Sequence, residues 1–91
     1  MPAEQRHILF SGTVQGVGFR YTARQVASRH PVTGHVRNLP DGRVECVVEG
    51  KPDDIDDFVA DLSGAMQGYI RDRDEESRPA TGSYERFEVR H

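Results

Sequence analysis

The sequence predicts an α+β domain in which two helices pack on one face of a mainly antiparallel sheet. Segments with strand-like and helix-like patterns follow one another in the order β-α-β-β-α-β, and a short strand is added at the end. Both helix-like segments carry a single apolar stripe, so each needs a sheet face to cover. With 35% hydrophobic residues among 91, the chain has enough apolar surface for one modest core, and we predict a single domain, residues 1–91.

The first strand and the first helix are separated by a glycine-containing turn. The segment His7 to Val14 is rich in β-branched and aromatic residues, which is typical of a strand. The apolar residues that follow recur at the spacing of a helix face: Phe19, Ala23, Val26 and Ala27. Because Pro31 cannot continue a helix, we predict that this helix ends near His30.

A β-hairpin is predicted next, within Gly34–Gly50. Its two extended arms are joined by Leu-Pro-Asp-Gly at residues 39–42, and tight turns select these residue types. Apolar and polar residues mostly alternate on the second arm, where Val44, Cys46 and Val48 share one face. That face is expected to be buried. The chain's only cysteine, Cys46, is expected to be a small core residue that forms no internal disulfide.

The second helix is predicted to begin at Pro52, whose missing N–H costs nothing at a helix start, and to stop at Gly64. Its apolar residues have helical spacing: Ile55, Phe58, Val59, Leu62 and Met66. Two further strands, Tyr69–Glu76 and Tyr84–Arg90, are predicted on either side of a polar loop. Right-handed crossovers in the two βαβ halves then give a ferredoxin-like α/β sandwich.

Charge and composition argue against several classes of protein. The net charge of −3 gives little attraction for a polyanion. The predicted central strand VECVVEG is acidic and has no aromatic residue, which disfavours RNA binding. No apolar run is long enough to cross a bilayer and no secretory signal is visible, so we expect no membrane association and a cytoplasmic location. The four histidines are far apart in sequence, and we predict no metal site.

The junction between the first strand and the first helix has the composition of an anion site. Gly16 and Gly18 let successive backbone N–H groups point into one concavity, and the unpaired N–H groups of a helix N-terminus point the same way. Arg20 can add two charge-assisted hydrogen bonds, each worth about 1.5–3 kcal/mol. Phosphate suits this geometry, although the same residues are also compatible with a tight turn followed by a solvated arginine.

Two motifs resemble those of the acylphosphatase family. They are GTVQGVGFR, which begins at Gly12, and GHVRNLPDGRVE, which ends at Glu45, and the order of elements fits the family throughout the chain. The resemblance implies hydrolysis of an acyl phosphate, a carboxylic-phosphoric mixed anhydride, to a carboxylate and inorganic phosphate. It also implies that neither a metal nor an organic cofactor takes part.

The resemblance further implies roles for individual residues. The segment that looks like the phosphate cradle, called loop 15–19 below, consists of Gln15, Gly16, Val17, Gly18 and Phe19. Arg20 matches the family's catalytic arginine, which holds the phosphoryl oxygens, and Asn38 matches the catalytic asparagine, which orients the attacking water. An asparagine before a tight turn also fits a purely structural role. His35 departs from the family pattern, which often has an aromatic residue there, and so does the nearby segment HPVTG.

Two alternatives to an enzyme of this kind stay open. One is a non-catalytic phosphate- or RNA-binding module with the same architecture, and the other is a phosphate-binding domain related to larger carbamoyl-transfer maturation proteins, against which the free-standing length argues. The preferred prediction is a monomeric acylphosphatase. Its expected partners are a small acyl phosphate and the product inorganic phosphate, with no nucleic acid.

Overall fold

The structure, a computed structural model, describes residues 2–91. In chain order its elements are β1 (Glu4–Gly12), α1 (Phe19–Ala27), β2 (Thr33–Asn38), β3 (Val44–Gly50), α2 (Pro52–Ala65), β4 (Ile70–Pro79) and β5 (Phe87–Arg90). This is the predicted order, including the short final strand. Neither helix in the described part of the chain has the length and apolar character needed to cross a membrane.

The strands form one mixed sheet in the order β4-β1-β3-β2-β5. β2 and β5 are parallel, and the other neighbouring pairs are antiparallel. Because β1 and β2 both run antiparallel to β3, they are parallel to each other, and α1 connects them. In the same way α2 connects β3 to β4, on either side of β1. These two interleaved βαβ units confirm the predicted ferredoxin-like α+β sandwich.

Both helices cover the same face of the sheet. The buried residues of β1 on this face are Ile8 and Phe10, and Cys46 lies beside them on β3. The helices add Phe19, Ala23, Val26, Ile55, Phe58 and Leu62 to the same core. The rings of Phe10 and Phe19 are 5.0 Å apart, which joins β1 directly to the first residue of α1. Burial raises the pKa of the Cys46 thiol, as expected for a core residue.

The ends of the helices differ from the predicted ones. α1 ends at Ala27 rather than near His30, because the N–H of His30 bonds to the carbonyl of Ala27, only three residues back. α2 passes through Gly64 and ends at Ala65. Gly64 does not have the positive φ that stops a helix, whereas Gly68 has a φ of +93°.

The strand ends also differ. β1 begins at Glu4 instead of His7 and ends at Gly12, β4 continues to Pro79, and β5 begins only at Phe87. β1 and β4 pair along almost their whole length, from Glu4 opposite Pro79 onward. The prediction followed apolar residues, but a backbone ladder at a sheet edge does not require them, since the charged side chains of β4 remain in solvent.

Residues 80–86 connect the two edges of the sheet, because β4 and β5 lie at opposite edges. Buried Glu49 on β3 fixes this connection: its carboxylate accepts hydrogen bonds from the N–H of Thr81 at 2.9 Å, the N–H of Gly82 at 3.0 Å and the side-chain amide of Gln5 at 2.8 Å. Burial raises the pKa of Glu49, but these hydrogen bonds outweigh it and lower the pKa overall. The fixed loop thereby positions β5 beside β2.

Candidate active site

Loop 15–19 is anchored by its apolar side chains. Phe19 is buried in the core, and Val17 packs against it. Gly16 and Gly18 are exposed and have φ angles of +78° and +76°. This left-handed conformation costs an L-residue about 1–2 kcal/mol, so it explains why glycine stands at both positions. Glycine and apolar residues thus alternate in the loop: the apolar side chains pack against the core, and the glycine peptide groups stay at the surface.

The loop and the start of α1 carry a row of N–H donors. Within residues 2–91, no backbone carbonyl accepts a hydrogen bond from the N–H groups of residues 15–18. The N–H of Thr22 donates to the carbonyl of Gly18 at 3.0 Å, so the preceding N–H groups of the first turn lack an acceptor four residues back. The positive end of the helix dipole adds to these donors. Such a cluster is suited to an anion.

Arg20 lies in the first turn of α1 and reaches the end of β5. Its Nη1 donates to the carbonyl of Arg90 at 3.1 Å and lies 3.1 Å from Nδ1 of His91. A guanidinium has no acceptor atom, so Nδ1 of His91 carries a lone pair in this contact. Both contacts are to uncharged acceptors, which orient the guanidinium without neutralising its charge.

The position of Arg20 opposes the helix dipole. α1 has no acidic residue in its first turn and places a cation there, whereas α2 begins with Asp53 and Asp54, the arrangement that the dipole favours. A cation at a helix N-terminus is unfavourable by about 0.3–1 kcal/mol. An anion bound at loop 15–19 would offset this cost, because it would pair with both the guanidinium and the dipole.

The side chain of Gln15 joins the loop to the β2–β3 hairpin. Its Nε2 donates to the carbonyl of Leu39 at 2.8 Å and to the carbonyl of Arg43 at 3.0 Å. Both donor hydrogens of the amide are therefore used by the hairpin, and only the backbone N–H of Gln15 is left for an anion. This cross-link places loop 15–19 against the residue that immediately follows Asn38.

Asn38 is the last residue of β2, and its side-chain Oδ1 is buried without a hydrogen-bond partner in the described protein. The turn after it is held by a hydrogen bond of 2.8 Å from the N–H of Leu39 to the carbonyl of Arg43. Asp41 accepts from the N–H of Arg43 at 3.0 Å, and Gly42 has a φ of +94°. Asp41 and Gly42 thus form the predicted hairpin turn. A buried, unused amide oxygen is costly, which points to a ligand or water as its partner.

His35 lies on the other face of the sheet. It is 5% exposed, and its ring lies 5.6 Å from the ring of Tyr84. Burial, together with the charge of Arg90, lowers the pKa of His35. Because side chains alternate along β2, His35 and Asn38 point to opposite faces. The departure from the family at this position therefore concerns the packing of residues 80–86 and not the surroundings of Asn38.

The tertiary structure thus gathers three segments: loop 15–19 with Arg20, the hairpin that follows Asn38, and the end of β5. Arg90 and His91 were not anticipated, since their contact with Arg20 spans 70 and 71 positions of sequence. No local pattern could have indicated it. In residues 2–91 no group of three or more His, Cys, Asp or Glu side chains could hold a metal ion. The positive groups at this site are an arginine and backbone N–H groups.

A family model described as Acylphosphatase matches residues 6–89. The chain belongs to the acylphosphatase family. It is 40% identical over 84 residues to an acylphosphatase of Methylococcus capsulatus, a match that covers 91% of each chain. Its structure is similar to the crystal structure of acylphosphatase from Bacillus subtilis, with a TM-score of 0.89, 30% identity, and coverage of 97% of this chain and 99% of the other.

Acylphosphatases are hydrolases, and acyl phosphate hydrolysis is accordingly the activity of this chain, with an acyl phosphate as substrate. The same fold also occurs inside a much larger protein. HypF of T. kodakarensis matches with a TM-score of 0.83 and 33% identity, and this match covers 97% of this chain but 12% of that one. The Bacillus subtilis acylphosphatase matches the present chain over almost its whole length.

Proposed function

We propose that loop 15–19 and Arg20 hold the phosphoryl group of an acyl phosphate, and that Asn38 orients the water that attacks it. The observation that carries this assignment is the pair of hydrogen bonds from Gln15 to the carbonyls of Leu39 and Arg43. They join the loop that carries the donors to the hairpin turn that follows Asn38. These hydrogen bonds support the proposal because they keep loop 15–19, which would bind the phosphoryl group, close to the segment of Asn38, which would orient the water.

The proposed roles match what phosphoryl transfer requires. The reaction depends mainly on alignment and on stabilising charge at the phosphoryl oxygens, and an acyl phosphate already has a good leaving group. The N–H groups at the start of α1 and the guanidinium of Arg20 supply positive charge on one side of the phosphoryl group. This charge performs the task that a metal ion performs in other phosphoryl-transfer enzymes, so we propose that hydrolysis needs no metal.

Asn38 is proposed to act through its neutral amide. Oδ1 accepts a hydrogen bond from the water, and the amide nitrogen can donate to a phosphoryl oxygen, so the nucleophile is placed without added repulsion. The water oxygen forms a bond to phosphorus while the bond from phosphorus to the acyl oxygen breaks. The carboxylate leaves with the electron pair, and a phosphoryl oxygen takes the proton from the water.

The activity and its independence of metal can be tested together. Purified protein is expected to cleave acetyl phosphate and benzoyl phosphate at millimolar concentration in the presence of EDTA. The measurement is release of inorganic phosphate, with a heat-denatured sample as the blank. No turnover, or turnover only after a divalent ion is added, would contradict the proposal.

Two variants separate the proposed roles of Arg20 and Asn38. Arg20→Ala is expected to lower kcat/KM by about 10³-fold or more and to weaken binding of inorganic phosphate, because it removes the phosphate-binding cation. Asn38→Ala is expected to lower kcat by about 10²–10³-fold and largely to keep phosphate binding, because the water loses its partner while the phosphate loses one neutral donor and keeps Arg20 and the N–H groups of the loop. Arg29→Ala is the matched control: Arg29 follows the same helix and pairs with Asp61. Equal loss of phosphate affinity in both test variants would refute the division.

We further propose that residues 1–91 form one domain that acts as a cytoplasmic monomer. The charged, exposed edge strand β4 supports the monomer, since charged edges resist pairing with a second copy. One elution position at the monomer mass and one cooperative thermal transition are expected, and cell fractionation tests the location. A stable dimer at micromolar concentration would overturn the oligomeric part.

A further inference from the structure

A groove runs along α1, beginning one helical turn after Arg20. Arg20 contacts the carbonyl of Arg90 at the end of β5. One helical turn later, Arg24 lines a cavity of about 440 Å³ together with Phe87, Glu88 and Val89 of the same strand and with Arg86, whose guanidinium pairs with Glu88 at 3.3 Å. α1 and β5 are therefore the two walls of this cavity, and Arg20 precedes Arg24 by one turn on the same helix.

The groove continues past Arg24 toward the end of α1. A cavity of about 720 Å³ shares Arg24, Arg86 and Phe87 with the first one and extends to Tyr21, Gln25 and Glu85. Tyr21 is 68% exposed, which is unusual for so large a ring in a small protein. Its ring and that of Phe87 give the groove apolar contact surface beside the arginine.

The helix side of the groove is positive; on the opposite side Glu88 is paired with Arg86, and Glu85 forms no ion pair within residues 2–91. The only charged residues of the helix are Arg20 and Arg24, which are neighbours on its surface at a spacing of four, and two like charges there cost about 0.2–0.5 kcal/mol. The arginines that form ion pairs within residues 2–91 are Arg6, Arg29, Arg37, Arg43, Arg73, Arg78 and Arg86. Arg24 is exposed and is not among them. A chain with a net charge of −3 thus keeps an unpaired cation beside its proposed phosphate-binding arginine.

We propose that this groove receives the acyl part of the substrate and that Arg24 selects acyl phosphates whose acyl group bears a second anionic group, a carboxylate. This inference rests on the proposed function, because it takes Arg20 as the residue that holds the phosphoryl group. The Cβ atoms of residues four apart on a helix are about 5–6 Å apart, so a carboxylate separated from the phosphoryl group by a short rigid spacer can reach Arg24. The planar guanidinium matches a carboxylate in two-point contact.

The test compares benzoyl phosphate with 4-carboxybenzoyl phosphate, which differ only in the distal carboxylate. The wild-type protein is expected to show a kcat/KM about two- to fivefold higher for the carboxylated substrate, a modest gain because Arg24 is exposed. In Arg24→Gln the ratio of the two kcat/KM values is expected to fall to about one. Arg29→Gln, the matched control just after the same helix, is expected to keep the wild-type ratio. The preference should shrink as the salt concentration rises, because salt screens exposed charges.

A ratio near one in the wild-type protein, or a preference that persists in Arg24→Gln, would overturn the groove assignment. Failure to cleave benzoyl phosphate would instead contradict the proposed function. A binding measurement keeps the groove testable in that case: calorimetry with terephthalate and benzoate in the presence of inorganic phosphate. Tighter binding of terephthalate that is lost in Arg24→Gln supports the assignment, and equal binding of the two compounds refutes it.

Discussion

At the scale of single residues, the site depends on polar side chains whose partners are distant in sequence. Gln15 uses both hydrogens of its amide to bind the carbonyls of Leu39 and Arg43. Asn38 keeps a buried oxygen without a partner in the described protein. Arg20 is oriented by uncharged acceptors from the last two residues and retains its full charge. Gln15 thus attaches the loop to the hairpin, whereas Asn38 and Arg20 keep polar groups that a ligand can use.

Replacing Gln15 with methionine tests the attachment. Gln15→Met keeps a similar length but cannot donate to the two carbonyls, so the hairpin is expected to move relative to loop 15–19. A displacement of about 1 Å can lower a rate by about 10²-fold, and we expect kcat to fall by about 10–100-fold, with a much smaller loss of affinity for inorganic phosphate. Steady-state kinetics and phosphate calorimetry measure the two effects. Gln67→Met, on the exposed turn after α2, is the control, and an unchanged kcat in Gln15→Met would disprove the role.

At the scale of elements, the left-handed glycine at the start of α1 sets the direction of loop 15–19. Gly18 is the residue before the helix, with a φ of +76° and a ψ of +21°. The two neighbouring apolar side chains turn into the core, and the donors of the loop stay outside. The start of α1, which carries Arg20, thus depends on one backbone conformation that favours glycine and on core packing of the side chains on both sides of it.

Two glycine-to-alanine substitutions distinguish the effect of an unfavourable φ angle from that of a steric clash. A Cβ added at Gly18 or at Gly64 would meet no atom within 4 Å, and only Gly18 has a positive φ. Gly18→Ala is expected to destabilise the protein by about 1–2 kcal/mol and to weaken phosphate binding. Gly64→Ala, inside α2, is expected to stabilise it by about 0.5–1 kcal/mol, because alanine favours a helix. Urea unfolding measures both free energies, and equal effects would show that the left-handed conformation at position 18 does not disfavour alanine.

At the scale of the whole molecule, two carboxylates hold the uncovered face of the sheet together. Glu49 fixes the loop of residues 80–86 that carries β5 across. Glu45 accepts from Arg37 at 2.6 Å and lies 2.9 Å from Nε2 of His7, so it ties β3 to β2 and to β1. The position of the last strand, and with it the orientation of Arg20, depends on this charged layer as well as on the apolar core.

Acid is expected to destabilise the fold through Glu45. Burial raises the pKa of this carboxyl, but the hydrogen bonds with His7 and Arg37 outweigh it and lower the pKa to about 2. A folded-state pKa below the unfolded value of 4.5 gives stability that is present above pH 4.5 and is lost as the pH falls toward 2. Glu45→Gln should therefore lose less stability than the wild-type protein between pH 4.5 and pH 2. Thermal unfolding at a series of pH values measures the difference. Parallel pH profiles of the two proteins would contradict this.

Local patterns predicted the order of the elements and the direction of their buried faces. The alternation of Val44, Cys46 and Val48 and the helical spacing of the apolar residues in α1 and α2 are consequences of backbone geometry alone. The ends of β1 and β4 were predicted less well, because edge-strand pairing uses backbone groups and leaves no apolar pattern. The end of α1 was also missed, since Pro31 sets a limit on a helix and does not mark its last hydrogen bond.

By itself, the sequence determined that this protein has a strand-to-helix turn rich in donors, an arginine in the first turn of the helix, and an asparagine before a tight hairpin turn. Only the tertiary structure decided how these parts meet. Gln15 bonds to the hairpin across 24 and 28 positions, and Arg20 bonds to the end of β5 across 70. Hydrogen bonds of this kind depend on the three-dimensional path of the chain, which no local periodicity encodes. The groove with Arg24 exists for the same reason, because β5 reaches α1 only after the chain has crossed the sheet.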